Sequence, residues 1–160
     1  MKKKRFKSEG FCKLCRQNVE GEKISGHLSE CRKKLLKADE QKPIKMMHIL
    51  VDGGSPYWLQ IAVWDGVKLS DIDSFLRRAW LECCGHLSAF RINGESYEDQ
   101  SMEMPGLPFE SKRRPMNVKL HKVLQVGSVF QHEYDFGSTT TLELEVLDVF
   151  PASIQPKPVT

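Results

Sequence analysis

The sequence predicts an α+β protein built as a small zinc finger followed by a larger mixed-sheet domain. Two patterns predict this class. Three of the five cysteines and one histidine fall between Cys12 and Cys31 at metal-ligand spacing. From Met46 onward, short β-rich or alternating runs are interrupted by one amphipathic helical stretch. A third observation sets the boundary: Lys37–Lys45 (KADEQKPIK) is polar, contains a proline and suits a linker. The expected division is 1–36 basic zinc finger, 37–45 linker, 46–150 α+β domain and 151–160 proline-containing tail.

In the finger, two residues between Cys12 and Cys15 let a tight turn bring both sulfurs onto one ion. The four-position step from His27 to Cys31 puts the second ligand pair on one helical face. Ser25 is the expected N-cap of that helix, Leu28 and Leu35 extend its apolar side, and Val19 and Ile24 supply a miniature core. Three thiolates and one neutral imidazole fill a tetrahedral Zn²⁺ and leave no open position, so one structural zinc is expected. A segment this short cannot bury enough surface to fold without a metal.

In the larger region, Met46–Val51 and Tyr57–Trp64 read as strands joined by the turn Asp52-Gly53-Gly54-Ser55-Pro56. Ser70 is the expected cap of the next helix, with Asp73 reaching back to the cap amide. Ile72, Phe75, Leu76, Ala79, Trp80 and Cys83 then recur on one face as far as Cys84, and Gly85 is the stop. Leu87–Ile92 is a short strand before the turn Asn93-Gly94, and Glu98–Arg114, rich in proline, glycine and charge, is a long surface loop. Leu120, Val123 and Leu124 make one helical turn before Gly127. Phe130, His132 and Tyr134 alternate with Gln131, Glu133 and Asp135, and Leu142, Leu144 and Val146 alternate with Glu143 and Glu145, giving two strands joined at Gly137-Ser138. This order fits a mixed sheet of four or five strands packed on the helix, and is compatible with a ubiquitin-like grasp. Trp58, Trp64 and Trp80 are expected in the core.

Charge divides the chain as composition does. Residues 1–45 hold 14 Lys+Arg against 6 Asp+Glu, so the formal net charge of +3 conceals +8 there and −5 in the remainder. No stretch approaches the roughly 18 apolar residues of a membrane span, and the lysine-rich start lacks the apolar core of a signal peptide. The expectation is a soluble, cytoplasmic protein with no membrane partner. Lys2, Lys3, Lys4, Arg5 and Lys7, with Lys13, Arg16, Arg32, Lys33 and Lys34, are the candidate nucleic-acid-binding residues, because cations around a small rigid unit supply sequence-independent phosphate contacts to DNA or RNA.

Two further segments, Leu81–Phe90 (LECCGHLSAF) and Phe130–Gly137 (FQHEYDFG), are distinctive. With the strand, strand, helix run before them, they resemble the plasmid pRi open-reading-frame-three-like family, also labelled insertion-element passenger, resolvase-like. The resemblance spans about residues 46–149 and implies a mobile-element or plasmid association. It marks His86, Leu87 and Phe90 together with Tyr134, Asp135, Phe136 and Gly137 as structural or partner-binding residues. Where many members follow the hairpin with Asp and a nearby Trp, this chain has Ser138-Thr139-Thr140. The resolvase label implies an activated serine among arginines, and no such constellation accompanies Arg77-Arg78 or Arg113-Arg114.

No catalytic constellation is evident in the sequence. Cys83, Cys84 and His86 read as core or turn rather than a second metal site, His132 as a packed histidine, and Asp135 as the residue ordering its hairpin turn. The expected function is a non-enzymatic adaptor: the finger meets nucleic acid and the acidic domain meets a protein. The alternative is a pure protein-interaction module without nucleic-acid binding.

Overall fold

The computed structural model describes residues 8–35, 44–81, 85–99 and 113–152. Lys2, Lys3, Lys4, Arg5 and Lys7, most of the expected linker, Cys83, Cys84 and the bulk of the expected long loop lie outside these residues, as do the side chains of Lys34 and Leu35.

The N-terminal unit is a hairpin, β1 (Glu9–Cys12) and β2 (Gln17–Glu20), followed by a short 3-10 turn at Gly21–Lys23 and helix α1 (Ile24–Leu35). Ser25 falls inside the first turn of α1 rather than at its cap, and its hydroxyl accepts a hydrogen bond from Gln60 Nε2 (2.9 Å). Of the two residues expected in a miniature core, Ile24 is buried and Val19 half-buried.

The larger part has β3 (Ile44–Asp52), β4 (Trp58–Trp64), α2 (Leu69–Leu76), β5 (Ser88–Ile92), β6 (Glu95–Glu98), β7 (Arg113–Pro115), α3 (Leu120–Val123), β8 (Val129–Tyr134) and β9 (Thr140–Ala152). Among the described residues, seven strands form one sheet in the order β4-β3-β9-β8-β5-β6-β7. Only the β6–β7 pairing is parallel among these. The class is α+β with a large, mostly antiparallel sheet, wider than the expected four or five strands; a ubiquitin-like grasp is not established by this order. The two extra strands are Glu95–Glu98, after the Asn93-Gly94 turn, and Arg113–Pro115, which begins inside the expected loop Glu98–Arg114. Pairing to β5 and β6 holds them extended regardless of their weak intrinsic preference.

One sheet face carries Ile49, Val51, Phe90, Phe130, Leu142, Leu144 and Val146 into a core closed by Leu69, Ile72, Leu76 and Leu120. The helix differs from its expected form. Asp71, not Asp73, makes the capping contact, accepting from the Lys68 amide at 2.8 Å, and α2 ends at Leu76 in a π turn over Arg77–Leu81. That wider turn rotates the residues within it, so Ala79 and Trp80 are exposed and leave the apolar face. Trp64 is exposed as well, and Trp58 is half-buried outside the core.

The second face of β3, β4 and β9 is covered by the N-terminal unit. A bulge positions it: His48 pairs with Asp148 and Ile49 with Val146, so β9 carries one extra residue there. Such an insertion inverts the alternation beyond it. Leu142, Leu144 and Val146 therefore face the core, whereas Asp148 and Phe150 face the finger. Strand pairing starts at Ile44 and runs through Ala152, inside the expected linker and tail.

Candidate metal centre

The four expected ligands come together. One ligand atom from each of Cys12, Cys15, His27 and Cys31 lies within 4.8 Å of the others, a group able to hold one metal ion. Cys12 and Cys31 are buried, and Cys15 and His27 are half-buried. The local sequence produces this. The chain reverses after Cys15 with Arg16 in the left-handed region (φ +60°), and the Arg16 amide donates to Cys12 O at 2.7 Å. His27 and Cys31 follow one turn apart on α1.

Distances test the fit. A tetrahedral ion with Zn–S of about 2.3 Å and Zn–N of about 2.0–2.1 Å separates two sulfurs by about 3.8 Å and a sulfur from a nitrogen by about 3.6 Å. Here Cys12 Sγ and Cys31 Sγ are 3.9 Å apart, and Cys15 Sγ and His27 Nε2 are 3.4 Å apart. Both separations agree with a shared zinc-sized ion, and the three thiols are free of disulfides.

Electrostatics agree with the distances. Burial raises the Cys12 thiol, but the amides of Cys15 and Leu14 and the His27 ring outweigh it and bring the group down to about 7. Cys31 is pushed up to about 11 by burial and by the facing sulfurs of Cys15 and Cys12. A cation among the sulfurs would favour the thiolate form that a metal ligand needs.

The finger is docked rather than merely tethered. Trp58 Nε1 donates to Ser8 Oγ (2.5 Å), and the Ser8 hydroxyl donates to Pro56 O (3.2 Å). Gly10 faces the Trp58 indole so closely that a Cβ there would lie 2.3 Å from a ring carbon. A relay crosses the seam: His48 Nε2 donates to Gln60 Oε1 (2.8 Å), and the Gln60 amide donates to Ser25. Arg32 pairs with Asp148 and lies over the Phe150 ring, 3.8 Å from its centroid. Its side chain is 14% exposed, so this expected phosphate contact is instead engaged within the molecule. Lys13, Arg16 and Lys33 are exposed, Lys33 pairing with Glu30 at 2.8 Å.

A second polar cluster was missed at the sequence level. Asp73 is buried; its Oδ1 accepts from His132 Nε2 (2.7 Å) and Ser88 Oγ (2.6 Å), and its Oδ2 from Arg77 Nε (2.8 Å). Arg77 also donates to Ser88 Oγ (2.7 Å) and lies 4.9 Å from the Tyr134 ring centroid. The i, i+4 spacing of Asp73 and Arg77 was the available signal. Burial alone pushes the Asp73 carboxyl up, but the hydrogen bonds from His132 and Ser88 and the charges of His132 and Arg77 hold it below the usual carboxylate range. Ser88 and His132 both point at the carboxylate, and His132 is fully buried, an arrangement that ties α2 to β5 and β8. Asp73 also reaches a cleft of about 340 Å³ of mixed lining, with Ser70, Ser74, Glu98, Asp99, Met116 and Asn117.

The two distinctive segments meet. Ser88 pairs with Tyr134 across β5 and β8, and the Asp135 amide donates to Leu87 O (3.0 Å). Asp135 is left-handed (φ +59°) and accepts from the Gly137 amide at 3.0 Å, which orders the turn. His86 stacks edge-on against Tyr134 (5.9 Å) with its Nδ1 3.6 Å from Asp135 Oδ1. Phe90 is buried, whereas Leu87 and Phe136 are exposed.

No family model matches the chain, and no curated protein matches it. Its fold is similar to the crystal structure of a protein of unknown function from Methanosarcina mazei Go1. That match has a TM-score of 0.59 at 15% identity and covers 74% of this chain and 68% of the other. The likeness is one of fold. Among the described residues, no helix is long and apolar enough to cross a membrane.

Proposed function

We propose that this is a non-enzymatic adaptor of the plasmid pRi open-reading-frame-three-like kind, acting in the cytoplasm. A structural zinc folds its N-terminal unit; that unit meets DNA or RNA, and the acidic sheet domain meets a protein. The observation that carries the reading is the four-ligand group on a basic unit, whose separations suit a closed tetrahedral zinc site. A closed site supplies fold rather than catalysis. The burial of His132 and the shared hold of Ser88, His132 and Arg77 on Asp73 support a non-enzymatic sheet domain. The resemblance to the pRi-type family supports the mobile-element association.

Metal analysis of the purified protein should find about one zinc per chain, reduced in Cys12→Ser. Mobility shifts with single- and double-stranded DNA and RNA should show binding that weakens steeply with salt and is lost with residues 1–36. Zinc-free protein, or salt-insensitive binding, would defeat the proposal.

One observation favours the alternative of a pure protein-interaction module. Arg32 is engaged with Asp148, while the apolar residues Leu87 and Phe136 stand exposed beside the Tyr134–Gly137 hairpin. A protein partner lost on hairpin substitution but kept without residues 1–36 would support it.

A further inference from the structure

The docking of the finger decides which of its surfaces remains available. Ser25 and Arg32, seven positions apart and so on one helical face, hold α1 against β4 and β9. Among the described side chains, the solvent side of α1 and the turn before it carry Glu22, Lys23, Glu30 and Lys33, balanced in sign, with Lys23 paired to Glu20 and Lys33 to Glu30. A helix held on one side and, among its described side chains, balanced in charge on the other is less suited to enter a major groove than an open, cationic face.

The knuckle between β1 and β2 differs. Strand alternation puts Gly10 and Cys12 on the side of Trp58 and the metal ligands, so Phe11 points the other way. Phe11 is 58% exposed and Leu14 47%. Lys13 and Arg16 belong to the same turn, both exposed and, among the described residues, neither paired with a carboxylate. Glu9 and Glu20 are register partners at the far end of the hairpin, with Glu20 paired to Lys23, so among the described residues the cations of this surface lie at the turn end. An exposed aromatic ring with two such cations following it in the same knuckle complements a base whose neighbouring phosphates are negative, and only an unpaired strand offers a base face for stacking.

We infer that the β1–β2 knuckle is a platform for single-stranded nucleic acid, with Phe11 stacking on a base, Leu14 beside it, and Lys13 and Arg16 on the flanking phosphates. This rests on the nucleic-acid reading above and narrows it to one class of strand.

The test uses the full-length, zinc-loaded protein and fluorescence anisotropy with a labelled mixed-sequence single strand, as DNA and as RNA, and with the matching duplex. Single strands should bind at least about tenfold more tightly than duplex. Phe11→Ala should weaken single-strand binding roughly 5- to 150-fold, the range seen when one stacked base loses its aromatic partner, and Phe11→Tyr should restore it. Lys13→Gln with Arg16→Gln should lower the slope of log affinity against log salt by about 1.4, two phosphate contacts' worth on a single strand. Zinc content and tryptophan emission of each variant identify any that fails to fold, and the solvent-facing Phe11→Tyr remains informative in that event. Tighter duplex binding, or an unchanged affinity in Phe11→Ala, overturns the platform while leaving nucleic-acid binding in place. Absence of binding to every probe overturns both.

Discussion

Gly10→Ala separates finger docking from finger folding. A Cβ at position 10 would sit 2.3 Å and 2.9 Å from two carbons of the Trp58 indole, where carbon pairs rest at about 3.5–4.0 Å. The hairpin and the ring must part by more than about 1 Å, and the indole is held by its Nε1 bond to Ser8 Oγ at 2.5 Å. Overpacking of this kind costs about 1–3 kcal/mol, which raises the undocked-to-docked ratio roughly 5- to 150-fold. The hairpin itself accepts the methyl, since Gly10 lies in an ordinary strand and its backbone needs no left-handed conformation. Zinc stoichiometry should therefore stay at about one, while Trp58 emission shifts to the red and amide exchange rises in β4 and around Asp148–Phe150. Wild-type emission and exchange in a variant that keeps its zinc would refute the docking argument.

Two further perturbations address the sheet domain and the seam. Asp73→Asn leaves Arg77 without its carboxylate and should lower stability by about 3 kcal/mol, or roughly 10 °C in Tm, measured by thermal unfolding. In the native protein that contribution is complete above about 3.8, the ordinary Asp value, and is lost as pH falls through the lower folded-state value. His48 behaves differently: burial, with the charge of Arg32, holds its pKa below 6.5 despite the opposing effects of Gln60 and Asp148. Above 6.5 it is neutral in both states; below, the unfolded chain takes up a proton that the folded chain resists, so stability falls with acidification. His48→Gln should flatten that part of the stability profile, as followed by urea unfolding between pH 5 and 7; an unchanged slope would show that His48 does not set it.

Much of the fold was legible because local pattern and tertiary context agree. The ligand spacing, the β3–β4 hairpin, the apolar face of α2 at Ile72 and Leu76, and the alternation in β8 and early β9 all met partners that suited their periods. The misreadings cluster where long-range geometry overrides a local period. The π turn after Leu76 carried Ala79 and Trp80 off the helix face. One extra residue at the β9 bulge sent Asp148 and Phe150 to the finger, which simple alternation from Leu142 would have placed in the core. Asp73 resembled a cap by spacing, but Ser88 and His132, distant in sequence, draw it inward. The same distance hid the role of Arg32: a cation in a basic run looks solvated until a carboxylate 116 residues further on is brought beside it.

That separation also sets an order of events during synthesis. At about 5–20 residues per second, the ribosome finishes the part of β9 that receives Arg32 roughly 6–23 s after making Arg32 itself. The ligand set is complete much earlier, at Cys31, so a metal-loaded finger can be whole before its seat exists. Throughout that interval Arg32 and the Gly10 side of the hairpin are uncovered, and the nascent chain carries a more strongly cationic head than the finished protein. Seating the finger on β9 thus doubles as a record that the sheet has been completed to its last strand.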